Sequence, residues 1–145
     1  MYSLVRPVLF QFDAETAHNS VFKILRLTGS AGRMMATIAY GKPDKRLATH
    51  LAGMELTGPV GLAAGLDKNG VLARFWPVLG FGFIEMGTVT AHAQSGNPKP
   101  RMFRFPSHGA LVNRMGFNNE GSEVLAQRLV ELGSRDKSVG VPLGV

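Results

Sequence analysis

The stretch PVGLAAGLDKNG, residues 59–70, determines how the rest of this 145-residue chain is interpreted. Its first half is a short apolar run, which is consistent with a buried β-strand. Its second half is a glycine turn that carries Asp67 and Lys68. A buried strand that runs directly into such a turn is typical of α/β proteins, whose ligands bind where the parallel strands end.

The residues that follow continue an alternation of predicted strands and helices. Residues 69–79 have a weak helical pattern, and residues 81–90 (FGFIEMGTVT) form a second strand-like apolar run. Residues 122–132 predict an amphipathic helix with Ser122 as its N-cap, and residues 139–145 (VGVPLGV) predict a third buried strand. The order strand, helix, strand, helix, strand predicts an α/β fold with a parallel sheet or barrel.

The length of the chain limits how much of a barrel it can form. A complete β/α-barrel has roughly 250 residues, so the chain predicts only the N-terminal part of one, assigned to residues 43–145. Within this part, residues 51–56 predict a small hairpin, and residues 102–105 and 111–112 are extended. Three strands leave open sheet edges, so we expect this part not to fold as a native barrel by itself.

Residues 1–42 predict a separate helical segment, which a linker at residues 41–44 (GKPD) ends. Asp13 can cap one amphipathic helix, and a second short helix covers residues 33–39. The two helices either pack on the domain that follows or lie in a membrane interface, where basic side chains meet anionic headgroups. Those basic side chains are Arg6, Lys23, Arg26 and Arg33. The residues alone leave both possibilities open.

The composition restricts the kinds of ligand and location. The chain has no cysteine and its four histidines are scattered, which excludes disulfides within these residues and predicts no metal site. The net charge of +6 favours anionic partners, but no nucleic-acid-binding motif is present. No apolar run approaches the roughly 20 residues of a membrane span, so we expect a soluble or peripheral protein.

Candidate site residues lie where the first two predicted strands end. After the first strand, Ala64 and Gly65 are small enough for a flat ligand to approach the backbone, and Lys68 adds a positive charge. After the second strand, Thr88 presents a hydroxyl at the same rim. The same residues are also compatible with a tight turn that carries a surface lysine.

A second candidate region is the loop NRMGFNN, residues 113–119. Asparagine side chains offer donors and acceptors, which suits a ligand with adjacent C=O and N–H groups. Phe117 can pack against a planar ring. An Asn-rich turn without a ligand is the alternative interpretation.

Five motifs, in the same order, resemble the class 2, membrane-associated dihydroorotate dehydrogenases over essentially the whole chain. The motifs are FDAETAH (12–18), PVGLAAGLDKNG (59–70), GFGFIEMGTVT (80–90), GNPKPRMFR (96–104) and NRMGFNN (113–119). The resemblance implies a TIM barrel that oxidises dihydroorotate to orotate through FMN in de novo pyrimidine (UMP) biosynthesis. It also implies ubiquinone or menaquinone as the electron acceptor, reached through the N-terminal helices at a membrane.

The resemblance also implies roles for residues of this chain. The residues expected to line FMN are Ala64, Gly65, Lys68 and Thr88. The residues expected to form the substrate loop are Asn113, Arg114, Met115, Gly116 and Phe117. Lys68 is expected to reach the substrate as well, and Asn113 to hydrogen-bond the pyrimidine. His18 and Arg104 match family positions near the flavin and the quinone head.

Other parts of the family pattern have no counterpart among these residues. They include the serine base, so no catalytic residue is predicted within the chain, and the 145 residues alone are expected to be inactive. We expect a peripheral protein on the cytoplasmic side of a bacterial inner membrane, since no transit peptide precedes the helices. The alternatives are another FMN-barrel oxidoreductase and a truncated, non-catalytic barrel fragment.

Overall fold

The computed structural model describes residues 2–133 and 139–145 of the chain. Its α-helices are α1 (Tyr2–Leu9), α2 (Ala14–Tyr40) and α3 (Ser122–Glu131). Its strands are β1 (Thr49–Leu51), β2 (Met54–Leu56), β3 (Ile84–Glu85), β4 (Met102–Phe105), β5 (Ala110–Asn113) and β6 (Leu143–Gly144). Short 3-10 helices cover Lys45–Leu47, Trp76–Leu79 and Pro106–His108.

The N-terminal segment is helical, as predicted, but it is divided differently. Asp13 caps α2, because its Oδ1 atom accepts the N–H of Thr16 at 2.9 Å. Gly29 has φ 52° and ψ −129°, a conformation that favours glycine, and it separates α2 into two halves. The two predicted helices correspond to these halves, and α1 is an additional helix ahead of them.

Parallel pairing joins the three predicted strands in sequence order. Leu62 forms a parallel bridge with Ile84, and β3 pairs with β6 through Ile84–Leu143 and Glu85–Gly144. The paired segments are shorter than the predicted strands. Because parallel strands need crossover connections, this pairing is that of an α/β sheet, which is the kind of sheet that a β/α-barrel contains.

The predicted helix at residues 69–79 is wrong: this segment consists of turns that end in the 3-10 helix Trp76–Leu79. The physical reason is the carboxylate of Asp67, which accepts the backbone N–H groups of Val71 and Leu72 at 2.8 Å each. An α-helix would need these N–H groups for carbonyl oxygens four residues earlier, so the side chain competes with the helix.

The remaining elements are two antiparallel hairpins and a helix. Strand β1 pairs with β2, and β4 pairs with β5. Helix α3 begins at the predicted place, but its N-cap residue is Gly121 and not Ser122. The hydroxyl of Ser122 instead donates to the carbonyl oxygen of Ala91 at 3.3 Å, so it links the helix to the segment after β3.

The core lies between the parallel strands, the turns after them and α3. Its buried apolar residues are Leu62, Leu72, Ala73, Phe75, Trp76, Ile84, Met86 and Leu125. Helix α2 packs on this core through the half-buried Phe22, Leu25 and Ala36. Of the two possibilities that the sequence left open for this segment, packing on the following domain is what one face of α2 shows, and association with a membrane stays a prediction. None of the helices in the described part is long and apolar enough to span a membrane.

Candidate ligand-binding site

A cavity of about 640 Å³ lies between α2, the turn after Leu62 and the loop between β5 and α3. The sequence-predicted residues that line it are His18, Gly65, Lys68, Asn113, Met115 and Gly116. They come from both motifs that were expected to bind a ligand and from the N-terminal helix. Its volume lies within the range of roughly 300–1,000 Å³ that is usual for small-molecule sites.

Lys68 supplies a half-buried positive charge in the wall of this cavity. Its Nζ atom donates to Oδ1 of Asn118 at 2.6 Å, and the carbonyl oxygen of Gly116 lies 3.5 Å away. Burial, followed by the nearby charge of Arg101, lowers the pKa of Lys68 from its ordinary value, and Glu15 opposes this shift. The ammonium is thus held by the loop at residues 113–119.

The loop at residues 113–119 is held by its last residue, the buried Asn119. Oδ1 of Asn119 accepts the backbone N–H groups of Gly121 at 2.9 Å and Thr90 at 3.2 Å. Its Nδ2 atom donates to the carbonyl oxygen of Phe117 at 2.6 Å. Because these bonds join the loop to the segment after β3 and to the start of α3, the loop has a defined shape.

Four of the residues predicted to bind FMN or substrate do not line the main cavity. Ala64 and Thr88 are exposed at the rim, each after one of the parallel strands. The guanidinium of Arg114 donates to the carbonyl oxygen of Pro100, with distances of 3.1 and 3.3 Å, so it braces the loop. The ring of Phe117 is 62% exposed. Their predicted contacts with FMN or substrate stay predictions.

His18 and Arg104, predicted together at a quinone site, line different cavities. The ring of His18 lies 4.1 Å from that of Phe22, and burial lowers the pKa of His18 below its ordinary value, so the imidazole is neutral at pH 7. Arg104 donates to the carbonyl oxygen of Phe12 at 2.8 Å, and its guanidinium lies 4.7 Å from the ring centre of Phe10. Arg104 therefore holds the corner between α1 and α2.

Sequence reasoning missed the ion pair of Glu15 and Arg101, which joins α2 to the segment before β4. Both side chains are buried, and two hydrogen bonds of 2.6 and 3.0 Å connect them. The hydrogen bonds from Arg101 lower the pKa of Glu15, and Glu15 raises that of Arg101. Lys99 lies 3.2 Å from the same carboxylate. The sequence signal for this pair was that Glu15 lies in the motif at residues 12–18, Arg101 lies in the motif at residues 96–104, and their charges are opposite.

Parallel strands with a ligand-sized cavity beyond their carboxyl ends define an α/β protein of the β/α-barrel class. A family model described as dihydroorotate dehydrogenase matches residues 46–145. The chain therefore belongs to the dihydroorotate dehydrogenase family.

Curated relatives with the name dihydroorotate dehydrogenase (quinone) extend the match to the N-terminal helices. The chain is 49% identical to that of Chloroflexus aurantiacus over 145 residues, which is 97% of this chain and 40% of the relative. It is 53% identical to that of Salinispora arenicola over 137 residues, 89% of this chain and 39% of the relative. The chain thus spans about 40% of the length of the curated relatives that it matches.

Solved structures support the fold. The crystal structure of DHODH from Eimeria tenella in complex with ferulenol superposes with a TM-score of 0.74 and 36% identity, and the match covers 90% of this chain and 34% of that one. The ligand-free form gives a TM-score of 0.69 and 33% identity over 91% of this chain and 36% of that one. The chain accordingly has an α/β fold that forms part of a dihydroorotate dehydrogenase barrel.

Proposed function

We propose that these residues belong to a quinone-dependent dihydroorotate dehydrogenase, which oxidises dihydroorotate to orotate in pyrimidine biosynthesis. The observation that carries the proposal is the lysine-lined cavity at the carboxyl ends of the parallel strands. The names of the curated relatives support the same reaction and the same class of electron acceptor. We assign the activity to the full-length enzyme, of which this chain supplies part of the site.

The cavity is suited to FMN, whose isoalloxazine ring supplies the redox chemistry when bound. Gly65 has φ 108°, and no atom lies within 4 Å of the position where a Cβ would stand, so a flat ring can approach its backbone. Lys68 would place its charge beside the ring, where it stabilises additional electron density. Ala64 and Thr88 extend the same rim and would contribute contacts at its edge.

The substrate would bind against the loop at residues 113–117. Oδ1 of Asn113 accepts the N–H of Met115 at 3.3 Å, and its Nδ2 atom has no partner within the described residues. This amide group can therefore donate to a carbonyl oxygen of a pyrimidine. Lys68 can bind the carboxylate of dihydroorotate by a charge-assisted hydrogen bond. Arg114 would act indirectly, since it braces the loop through Pro100.

We further propose that the quinone reaches the site from the N-terminal segment, residues 1–42, and that residues 43–145 form the barrel part. His18 lines the main cavity on the side of α2, and Arg104 lines two smaller cavities beside α1. Ubiquinone and menaquinone both have an apolar tail, which matches the apolar side chains of α1 and α2. These features support peripheral association with a bacterial inner membrane from the cytoplasmic side.

The test is reduction of bound flavin by dihydroorotate in the full-length enzyme, followed by reoxidation with a quinone. We expect dihydroorotate to bleach the flavin absorbance of the wild-type enzyme in the absence of oxygen. Lys68→Met should lower kcat/KM by at least about tenfold, because it removes one charged hydrogen bond. Lys42→Met, in the exposed linker, is the matched control and should have no effect. A wild-type enzyme that dihydroorotate cannot reduce would contradict the proposal.

A further inference from the structure

Asn118 is in direct contact with the ammonium group of Lys68. The distance from Nζ to Oδ1 is 2.6 Å, and both side chains line the main cavity. Lysine is only a donor, so the amide oxygen of Asn118 must face it and the amide NH₂ group must point elsewhere. In the described residues this NH₂ group has no hydrogen-bond partner.

The loop fixes Asn118 independently of Lys68. Asn119, the next residue, is buried and bonded to Thr90 and Gly121. The backbone N–H of Asn119 also donates to the carbonyl oxygen of Gln94 at 3.0 Å. Because the backbone next to Asn118 is fixed in this way, the amide oxygen of Asn118 can hold the flexible side chain of Lys68 in one orientation.

The charge balance around Lys68 favours an amide over a carboxylate at this position. The charged or titratable groups near it are Arg101, Glu15 and His18, and the cavity wall also contains Asp67, Glu120, Lys23 and Arg26. Glu15 is bonded to Arg101, Asp67 to three N–H groups, and Glu120 to Arg128. Their negative charges are thus already engaged. A neutral acceptor holds the ammonium and leaves its positive charge available to an anionic ligand.

We propose that Asn118 is a positioning residue that holds the ammonium of Lys68 toward an anionic substrate and keeps it protonated. This inference deepens the proposed function and rests on it for the identity of the substrate. Asn118 acts through Lys68 and has no chemical step of its own.

The test compares Asn118→Leu and Asn118→Asp, which have nearly the same size as asparagine, in the full-length FMN-loaded enzyme. Lys68 is acylated with a trace of acetic anhydride at a series of pH values, and mass spectrometry of its peptide gives the pH at which it becomes reactive. We expect Asn118→Leu to lower this pH and Asn118→Asp to raise it, because loss of an acceptor disfavours the ammonium and a carboxylate favours it. Both variants should lower kcat/KM for dihydroorotate by about tenfold.

Two controls separate this role from a structural one. Gln127→Leu, an exposed amide on α3, should leave the reactivity of Lys68 and the KM unchanged. Asn118→Gln keeps the amide and should retain more activity than Asn118→Leu. If the two main variants shift the reactivity of Lys68 in the same direction, or not at all, the proposal is overturned. The labelling does not require turnover, so it tests the contact even if dihydroorotate fails to reduce the flavin.

Discussion

Asp67 shapes the turn that carries Lys68. Its side chain is only 1% exposed, and its carboxylate accepts the N–H groups of Val71, Leu72 and the indole of Trp76 at 2.8 to 2.9 Å. A buried carboxylate is stable only when its oxygens are hydrogen-bonded, and here three donors meet that need. The aspartate therefore fixes the turn on one side while the neighbouring lysine faces the cavity.

Asp67→Asn is expected to destabilise the enzyme by about 2–3 kcal/mol. The amide that replaces the carboxylate has one acceptor oxygen, and its NH₂ group would face N–H donors without an acceptor. Urea unfolding of the full-length enzyme measures the free energy of unfolding. Glu123→Gln, which changes an exposed carboxylate in the first turn of α3, is the control. Equal stabilities of the two variants would show that the donors of the turn do not depend on Asp67.

At the scale of elements, Arg101 joins α2 to the loop at residues 113–119. Its guanidinium binds Glu15 on α2 and also donates to the carbonyl oxygens of Ser95 and Asn97. Its own carbonyl oxygen accepts the N–H of Arg114 at 2.8 Å. Helix α2 and the loop thus meet at one buried residue, the helix at its side chain and the loop at its backbone carbonyl oxygen, so a displacement of either changes the surroundings of the other.

The ion pair of Glu15 predicts an acid-dependent stability. Because the pKa of Glu15 is lowered by folding, its contribution is complete above the ordinary value of 4.5 and is lost as the pH falls through the folded value. Glu15→Gln should therefore cost about 3 kcal/mol at pH 7 and show a weaker loss of stability on acidification than the wild type. Unfolding curves at pH 7 and below pH 4.5 measure both quantities.

Glu55→Gln provides the comparison for this experiment. Glu55 pairs with His50 across the β1–β2 hairpin, but both side chains are exposed, so the expected cost is below about 1 kcal/mol. A Glu15→Gln enzyme that is as stable as Glu55→Gln at neutral pH would contradict the assignment of Glu15 to a stabilising buried pair.

At the scale of the whole molecule, apolar side chains are exposed along the N-terminal helices. Leu27 and Ile38 on α2 are each 77% exposed, and Leu4 on α1 is 79% exposed. The chain carries a net charge of +6, and four of its basic residues lie on these two helices. An apolar helix surface with adjacent basic groups is the pattern that binds at the surface of an anionic bilayer.

Replacement of Leu27 and Ile38 by glutamate should weaken binding of the full-length enzyme to vesicles that contain anionic lipid. The two changes remove exposed apolar area and add negative charge, so we expect at least about tenfold weaker binding in a vesicle sedimentation assay. Val130→Glu on α3 is the control, since Val130 is 74% exposed on a different element. Equal loss in the control would assign the effect to net charge alone.

The sequence predicted the structure correctly where a local pattern of residues determines it. The run at residues 59–64 predicted the parallel pairing that the structure shows at Leu62, its glycine turn predicted part of the cavity wall, and Asp13 predicted the start of α2. It was insufficient where a side chain competes with the backbone, as Asp67 does in the segment that was predicted to be helical. It also could not reveal the pair of Glu15 and Arg101, because 86 residues separate the partners.

The location of Trp76 makes its fluorescence sensitive to the packing of α2 on the rest of the protein. It is the only tryptophan of the chain, it is buried, and its ring lies 5.8 Å from that of Phe22 on α2. If α2 separates from the body of the protein, one side of the indole meets water, and its fluorescence emission moves to longer wavelength. In a full-length enzyme that keeps Trp76 as its one tryptophan, with any other replaced by phenylalanine, attachment of the N-terminal helix can therefore be followed by intrinsic fluorescence as lipid or quinone is added.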